Sequence, residues 1–249
     1  MRFPVYEAGQ HARVVRFPGV IEKMYSIASS PEETLAGGYL EFYVSGEVIT
    51  GADREAGVEF FFQSVPSSFE YRITDIGGSF ILKNWEKSFH HIVMVATGSG
   101  LAPFISIIKE LDGKGKIHQH ENLKVTLLHG HRTIEDLAYV GELSAIENAG
   151  RLDLFYFPSV TRYTPELPVS SGISTGRLGG FLNDALSPES GDLEPSEPGH
   201  YYTEEIRNNL RERLKDEGKI IVVCGNPDVI KEIDLIARRY KVPCVSEIW

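Results

Sequence analysis

Two glycine turns carry the sharpest chemical signal in this sequence. VMVATGSGLAPF, residues 93–104, runs an apolar strand into Gly98 and Gly100, then into a helical pattern with Pro103 just inside its start. Glycine lets backbone N–H groups approach a ligand with no Cβ in the way, and a helix amino terminus favours an anion such as phosphate or pyrophosphate. Pro103 costs the helix nothing there, because its missing N–H would have had no partner. IIVVCGNPDVI, residues 220–230, repeats the arrangement: strand, turn at Gly225, cap at Asn226, first helical residue at Pro227. Cys224 then stands at the carboxyl end of a strand, either as an inert buried thiol or at a ligand edge.

A third element ends at FPSVTR, which leaves Thr161 and Arg162 after a strand, and Arg177 follows in STGRLGG. Guanidinium groups suit bidentate contact with phosphate; two exposed surface arginines are the plain alternative.

These turns need a parallel sheet to bring them to one edge. HHIVMVA, LKVTLLHG, LDLFYFP and KIIVVCG read as buried strands, with helical stretches between them at about 134–147 and in NPDVIKEIDLIARRY. Alternating strands and helices imply a parallel sheet with crossover helices. TEEIRNNLRERLKDEG reads as a surface helix capped by Thr203 and stopped at Gly218, with Ile206, Leu210 and Leu214 on one face. The acidic, Pro-, Ser- and Gly-rich LSPESGDLEPSEPGH before it reads as a solvated loop.

The first third differs. YLEFYVSGEVIT, VEFFFQSV, FEYRITDI and SFILKN are short β-type runs between turn residues, the pattern of a small antiparallel barrel or sandwich. The spacing predicts two domains, 1–88 and 89–249, with the boundary near Trp85 to Ser88.

Composition narrows the function. The chain has 249 residues and a formal net charge of −10, which argues against general nucleic-acid binding and docking on anionic membranes. Its two cysteines form no CxxC pair, so neither a zinc nor an iron–sulfur site is expected, and a reducing cytoplasm fits. No apolar run reaches membrane-spanning length.

Taken in order, the motifs resemble the ferredoxin–NADP(H) reductase family. YSIASSP, residues 25–31, looks like its flavin-binding segment and GSGLAPF like its pyrophosphate turn. HGHRTIEDLAYVGEL looks like the strand–helix unit that follows, CGNPDVI like the CGNP-type turn, and SEIW like the carboxyl terminus. The resemblance implies a flavin-binding β-barrel domain followed by an α/β domain for the nicotinamide cofactor. It implies that Tyr25 stacks on the flavin ring, that Ser26 hydrogen-bonds near the reactive nitrogen, and that Trp249 covers the opposite face. Ser26, Cys224 and Glu247 would line the hydride-transfer site. Gly98, Ser99, Gly100 and Pro103 would hold the pyrophosphate, with Gly225, Asn226 and Pro227 in the second turn. Thr161, Arg162 and Arg177 would face the adenosine end.

The implied cofactors are FAD, ahead of FMN, and NADP(H), ahead of NAD(H), and the implied partner is a small carrier such as ferredoxin or flavodoxin. Arg13, Arg16, Lys83 and Lys87 are candidates for the docking face. Lys23 stands where the family carries arginine, which keeps the charge near the flavin phosphates but not the bidentate fork. Relatives have roughly two more strands before Gly9 and Gln10, so the expectation is that the barrel is open, that a partner completes it, or that the start has been lost. A subunit of a larger redox or oxygenase complex, and a non-catalytic scaffold of the same fold, are the alternatives.

Overall fold

The protein is described by a computed structural model covering residues 5–17, 21–43, 70–114, 122–162, 172–188 and 203–247. The chain divides into two compact units: residues 1–84 with 99–114 and 249, and residues 85–98 with 115–248.

The first unit is built on a three-stranded antiparallel sheet in which β1 (His11–Phe17) lies between β2 (Ile21–Ser26) and β3 (Glu70–Gly77). Alternation along β1 turns Ala12 and Val14 into a small core with Tyr6 and Ile27, and Tyr25, Leu40, Phe42 and Ile76 pack around it. The register pairs Ala12 with Tyr25 and His11 with Ser26, which sets the end of β2 beside the start of β1. VEFFFQSV lies outside the described residues, as does YLEFYVSGEVIT beyond residue 43; among the described residues the first unit has a three-stranded antiparallel sheet, which does not close into the expected barrel.

Two local readings change here. SFILKN is not a strand: Phe80 and Ile81 are buried and a 3₁₀ turn follows at Leu82–Asn84. Gly78 at φ +110° turns the chain out of β3, and Phe80 plugs in against Phe104 with ring centroids 5.4 Å apart. A short helix, α1 (Pro31–Gly37), follows the serine loop. It has a full capping box: Ser30 accepts from the Glu33 N–H and the Glu33 carboxylate accepts from the Ser30 N–H. That signal is present in SSPEE.

α2 (Ala102–Lys114) opens after a 3₁₀ turn at Gly98–Leu101 and packs with the first unit. There Ile107 leaves so little space beside Gly9 that a Cβ would lie 3.0 Å from its Cδ1 and 2.2 Å from the Phe80 carbonyl oxygen.

The second unit is a six-stranded parallel sheet. Its strands are β4 (His91–Thr97), β5 (Lys124–His131), β6 (Asp153–Val160), β7 (Ser174–Thr175), β8 (Lys219–Cys224) and β9 (Cys244–Glu247), in the order β7-β6-β5-β4-β8-β9. The central strands are buried on both faces and mostly apolar, as burial between helix layers requires. On one face Val93, Val95, Leu128, Phe157, Ile221 and Val223 meet α4 (Leu178–Leu186), α5 (Glu204–Leu214) and α6 (Pro227–Arg239). α3 (Val140–Ala149) packs against β6 and buries Leu143 and Ile146.

α3 starts six residues later than the periodicity predicts. Thr133 donates to Asp136 at 2.9 Å in a turn, and Tyr139, at φ +60°, interrupts the right-handed backbone just before Val140. α5 has its expected cap, the Ile206 N–H donating to Thr203 Oγ1 at 3.2 Å, but it ends at Leu214, short of Gly218. Gly218 serves close approach instead. A Cβ there would fall 1.9 Å from the His90 ring, and its carbonyl accepts from the His90 and His91 N–H groups. Asp216 gathers this corner, taking Lys124 at 3.0 Å and His90 at 2.7 Å. Burial opposes its ionisation, but the Lys124 and Gly218 hydrogen bonds and the nearby His90 and Lys124 charges hold it at about 2.

Two histidines are buried in the sheet. Arg213 donates to Thr126 Oγ1 at 3.1 Å, and His91 Nε2 shares a hydrogen bond of 2.9 Å with the same hydroxyl. Burial, aided by the Arg213 charge, lowers His91 to about 4, and burial lowers His129 to about 3. The unfolded chain protonates both near 6.5. Below that pH it binds protons the folded state refuses, so stability is full above pH 6.5 and falls as the pH drops toward 4. Urea midpoints measured from pH 7.5 to 4.5 should show this fall, and His91→Gln should make it shallower; a midpoint independent of pH in the wild type would refute the assignment.

Candidate functional site

Because every strand of the second unit is parallel, the carboxyl ends of β4, β5, β6 and β8 share one edge. β4 ends at Thr97 and the chain turns at Gly98, φ +55°; β8 ends at Cys224 and turns at Gly225, φ +131°. The two turns touch. A Cβ on Gly225 would lie 2.3 Å from Thr97 Oγ1 and 2.4 Å from the Thr97 carbonyl oxygen. The Asn226 N–H donates to Thr97 Oγ1 at 2.8 Å. Asn226 in turn caps α6, its side chain accepting from the Asp228 N–H at 2.8 Å, and Pro227 is the first helical residue. Sequence reasoning found both turns and missed Thr97, whose place immediately before Gly98 was its only signal.

β9 completes this edge. Its pairing with β8 puts Glu247 directly in register with Cys224, and Cys224 in turn with Ala96 of β4. The Cys224 side chain is buried. Glu247 Oε2 is buried and has no hydrogen-bond partner among the described residues. Burial raises its carboxyl to about 7, so near neutrality it is divided between acid and carboxylate. The other thiol, Cys244, is pushed by burial to about 11, which leaves it protonated and unreactive.

Farther along, the Thr161 and Arg162 N–H groups donate to the His131 and Arg132 carbonyls, extending the β5–β6 pairing past its last strand residue. The Gly176 N–H reaches the Val160 carbonyl at 2.9 Å and Ser159 Oγ the Gly176 carbonyl at 2.8 Å, so Arg177 begins α4 at the same edge. Thr161, Arg162 and Arg177 are all exposed. On sheet spacing, β6 lies about 10 Å from β4 and β8 about 5 Å to its other side.

In the first unit, Tyr25 is half-buried with its ring edge-on to Phe42, centroids 6.1 Å apart, and Ser26 is half-buried at the end of β2. The loop beyond them is tied down in detail. The Ile27 N–H donates to the Gln10 carbonyl at 3.0 Å and the Ala28 N–H to the Glu41 carbonyl at 2.8 Å. Tyr6, Ser29 and Thr34 form a buried cluster of hydroxyls, with Tyr6 Oη 2.8 Å from Thr34 Oγ1 and 3.2 Å from Ser29 Oγ. Burial raises the Tyr6 phenol above its usual value. Lys23, half-buried on β2, makes no hydrogen bond or ion pair among the described residues.

The structure therefore brings Gly98, Cys224, Gly225, Asn226, Pro227 and Glu247 together in the second unit, with Thr161, Arg162 and Arg177 on the same edge. Lys23, Tyr25 and Ser26 are grouped in the first unit, which also holds Ser99, Gly100 and Pro103 at the opening of α2. Trp249 lies outside the described residues. Of the four basic residues expected to dock a partner, Arg13 is paired with Glu22 and Lys83 with Glu7, and Lys87 is exposed. The Arg16 side chain lies outside the described set.

Residues 94–171 match the model of the oxidoreductase NAD-binding domain. A flavodoxin/ferredoxin–NADP reductase of Buchnera aphidicola subsp. Baizongia pistaciae (strain Bp) is 21% identical over 213 residues, 86% of this chain and 70% of that one. A ferredoxin–NADP reductase of Azotobacter vinelandii is 28% identical over 149 residues, 57% of this chain and 46% of that enzyme. The crystal structure of a cytochrome P450 reductase of Amycolatopsis shares the fold, with a TM-score of 0.60 at 18% identity over 97% of this chain and 60% of that one.

Gly225→Ala tests the junction of the turns. It adds a methyl group against the Thr97 backbone at a left-handed φ, and strain and overpacking together should cost about 3 kcal/mol. Thr97→Val, which only frees a solvent-reachable N–H, should cost about 1 kcal/mol or less. Equal thermal stability of Gly225→Ala and wild type would contradict the described contact.

Proposed function

We infer, from matches that support the ferredoxin–NADP reductase family, that the chain is an NAD(P)H-dependent flavin oxidoreductase. It moves hydride between NADP(H) and FAD and passes single electrons to or from a carrier such as ferredoxin or flavodoxin. The observation that carries this reading is the pairing of Cys224 with Glu247 in register beside the joined glycine turns, at the carboxyl edge of a parallel sheet. Ligands bind at that edge in open α/β sheets.

The residues present fit the cofactors. Glu247 Oε2, a buried carboxylate oxygen without a partner among the described residues, suits a polar group that arrives with a ligand. Lys23, half-buried and without a counter-ion among the described residues, suits a phosphate. FAD, when bound, supplies the exchange between two-electron and one-electron transfer. In the first unit the Tyr25 ring offers a stacking surface, and the Ser26 hydroxyl can donate or accept at the edge of the flavin ring. Lys23 balances the phosphates.

In the second unit the Gly98 turn, continued by Ser99, Gly100 and Pro103, presents N–H groups to the dinucleotide pyrophosphate. Thr161, Arg162 and Arg177, about 10 Å along the edge, take the adenosine end, and two guanidinium groups there favour a 2′-phosphate. Gly225, Asn226 and Pro227 hold the second turn at the nicotinamide end. There Cys224 and Glu247 fix the ring in reacting geometry, and Glu247 holds or releases a proton. Both cysteines are free thiols, which suits a reducing cytoplasm. Among the described residues no helix is long and apolar enough to cross a membrane.

A second reading keeps the chemistry and changes the setting. The structural likeness to a cytochrome P450 reductase, of which the chain covers 60%, favours a reductase component of a larger redox or oxygenase system.

The purified chain, loaded with FAD and kept free of oxygen, should lose its yellow absorbance faster with NADPH than with NADH. Faster bleaching with NADH would overturn the arginine assignment, and no flavin uptake would favour a non-catalytic scaffold. Glu247 supplies a separate pH test. Its carboxyl ionises as the pH rises through about 7, so its attraction for the cationic nicotinamide ring of NADP⁺ should raise affinity severalfold between pH 6 and 8. Glu247→Gln should remove that part of the rise; identical pH profiles of the two proteins would exclude Glu247 from the nicotinamide site.

A further inference from the structure

α2 grips the serine loop through named polar bonds. Ser106, one turn into α2 and fully buried, donates its hydroxyl to the Ser29 carbonyl at 2.7 Å, across 77 residues of sequence. A serine inside a helix ordinarily bonds the carbonyl one turn back. Here it reaches out of the helix to a loop. The Ser29 carbonyl also accepts the Tyr6 hydroxyl at 3.0 Å, so both of its lone pairs are used. Ser29 Oγ accepts the Glu41 N–H at 3.1 Å and lies 3.0 Å from Thr34 Oγ1. One turn further along α2, Lys109 pairs with Glu41 at 3.0 Å and with Glu33, the capping-box residue of α1, at 3.5 Å. The loop is thus fastened at its carbonyl, at its hydroxyl and on the helix beyond it.

That fastening has no slack toward Ser26. The two amides between Ser26 and Ser29 are already bonded, Ile27 to Gln10 and Ala28 to Glu41. The segment from Tyr25 to Ser29 is therefore held at every residue, and loosening Ser29 removes one of the ties that fix it.

We propose that Ser106 is a positioning residue whose hydroxyl, through the Ser29 carbonyl, sets the seat of Tyr25 and Ser26 for the flavin. The inference rests on the flavin-binding reading given above. It makes α2, opened by the GSGLAP turn, and the flavin-binding loop one rigid piece. A ligand on the loop and a ligand at the amino end of α2 then share that piece, and any coupling between them is reciprocal.

The test uses the full chain with FAD as the probe, and three variants. Ser106→Ala leaves Ser29 its bond from Tyr6 and should fold. It should bind FAD about fivefold more weakly, the worth of one buried hydrogen bond. The flavin it does bind should be less quenched, because Tyr25 stacks less regularly. Ser106→Thr keeps the hydroxyl and should restore both properties. Ser106→Cys, close in size but a weaker donor, should fall between. FAD affinity and bound-state fluorescence equal to wild type in Ser106→Ala would overturn the proposal, even with a lowered melting temperature. A wild-type chain that takes up no FAD would overturn the flavin reading itself, and the proposal with it.

Discussion

The approach of Gly225 to Thr97 is the constraint on which the second unit's candidate site depends. β4 and β8 are neighbours in register up to Ala96 and Cys224, and their chains must then diverge into different segments without leaving backbone groups stranded. Glycine at φ +131° makes the turn, the Thr97 hydroxyl takes the first N–H beyond it, and Asn226 starts α6 at once. No side chain other than hydrogen fits at 225, since the space is filled by Thr97 itself. With that junction fixed, the end of β8 has one position, and β9 pairing to β8 has one register. Glu247 reaches Cys224 as a consequence.

Burial then sets the chemistry of these groups. The same close packing that holds the sheet removes water from Glu247, His91 and His129, and each responds by favouring its neutral form. The histidines are kept neutral by structure, far from their ordinary titration range, and have no charge to offer near neutrality. Glu247 is moved into that range and can change charge there. A buried group becomes useful when its shifted value falls near working pH, and becomes inert when it is shifted beyond it.

The first unit uses hydroxyls where the second uses backbone. Its apolar core is small, and the loop after β2 must hold an aromatic ring and a serine in place without a helix or strand of its own. Tyr6, Ser29, Thr34 and Ser106 do this with short bonds in a water-poor setting, and α1 closes the loop with its capping box. Satisfied polar networks of this kind define one arrangement more sharply than apolar packing alone.

Local pattern was enough for much of this protein. The apolar runs gave the parallel strands, Asn226–Pro227 and Thr203 gave two helix starts, and glycine placement gave both turns, because each depends on residues close in sequence. The boundaries that failed were set by distant partners. Gly218 stops no helix because its neighbour is the His90 ring, SFILKN makes no strand because Phe80 is drawn against Phe104, and α3 is delayed by the backbone of Tyr139. The sequence by itself determined which residues could bend, cap or carry charge. Only the tertiary structure decided that Glu247 stands beside Cys224, that Thr97 joins the two turns, and that Ser106 holds Ser29, because strand register and close approach depend on residues far apart in the chain.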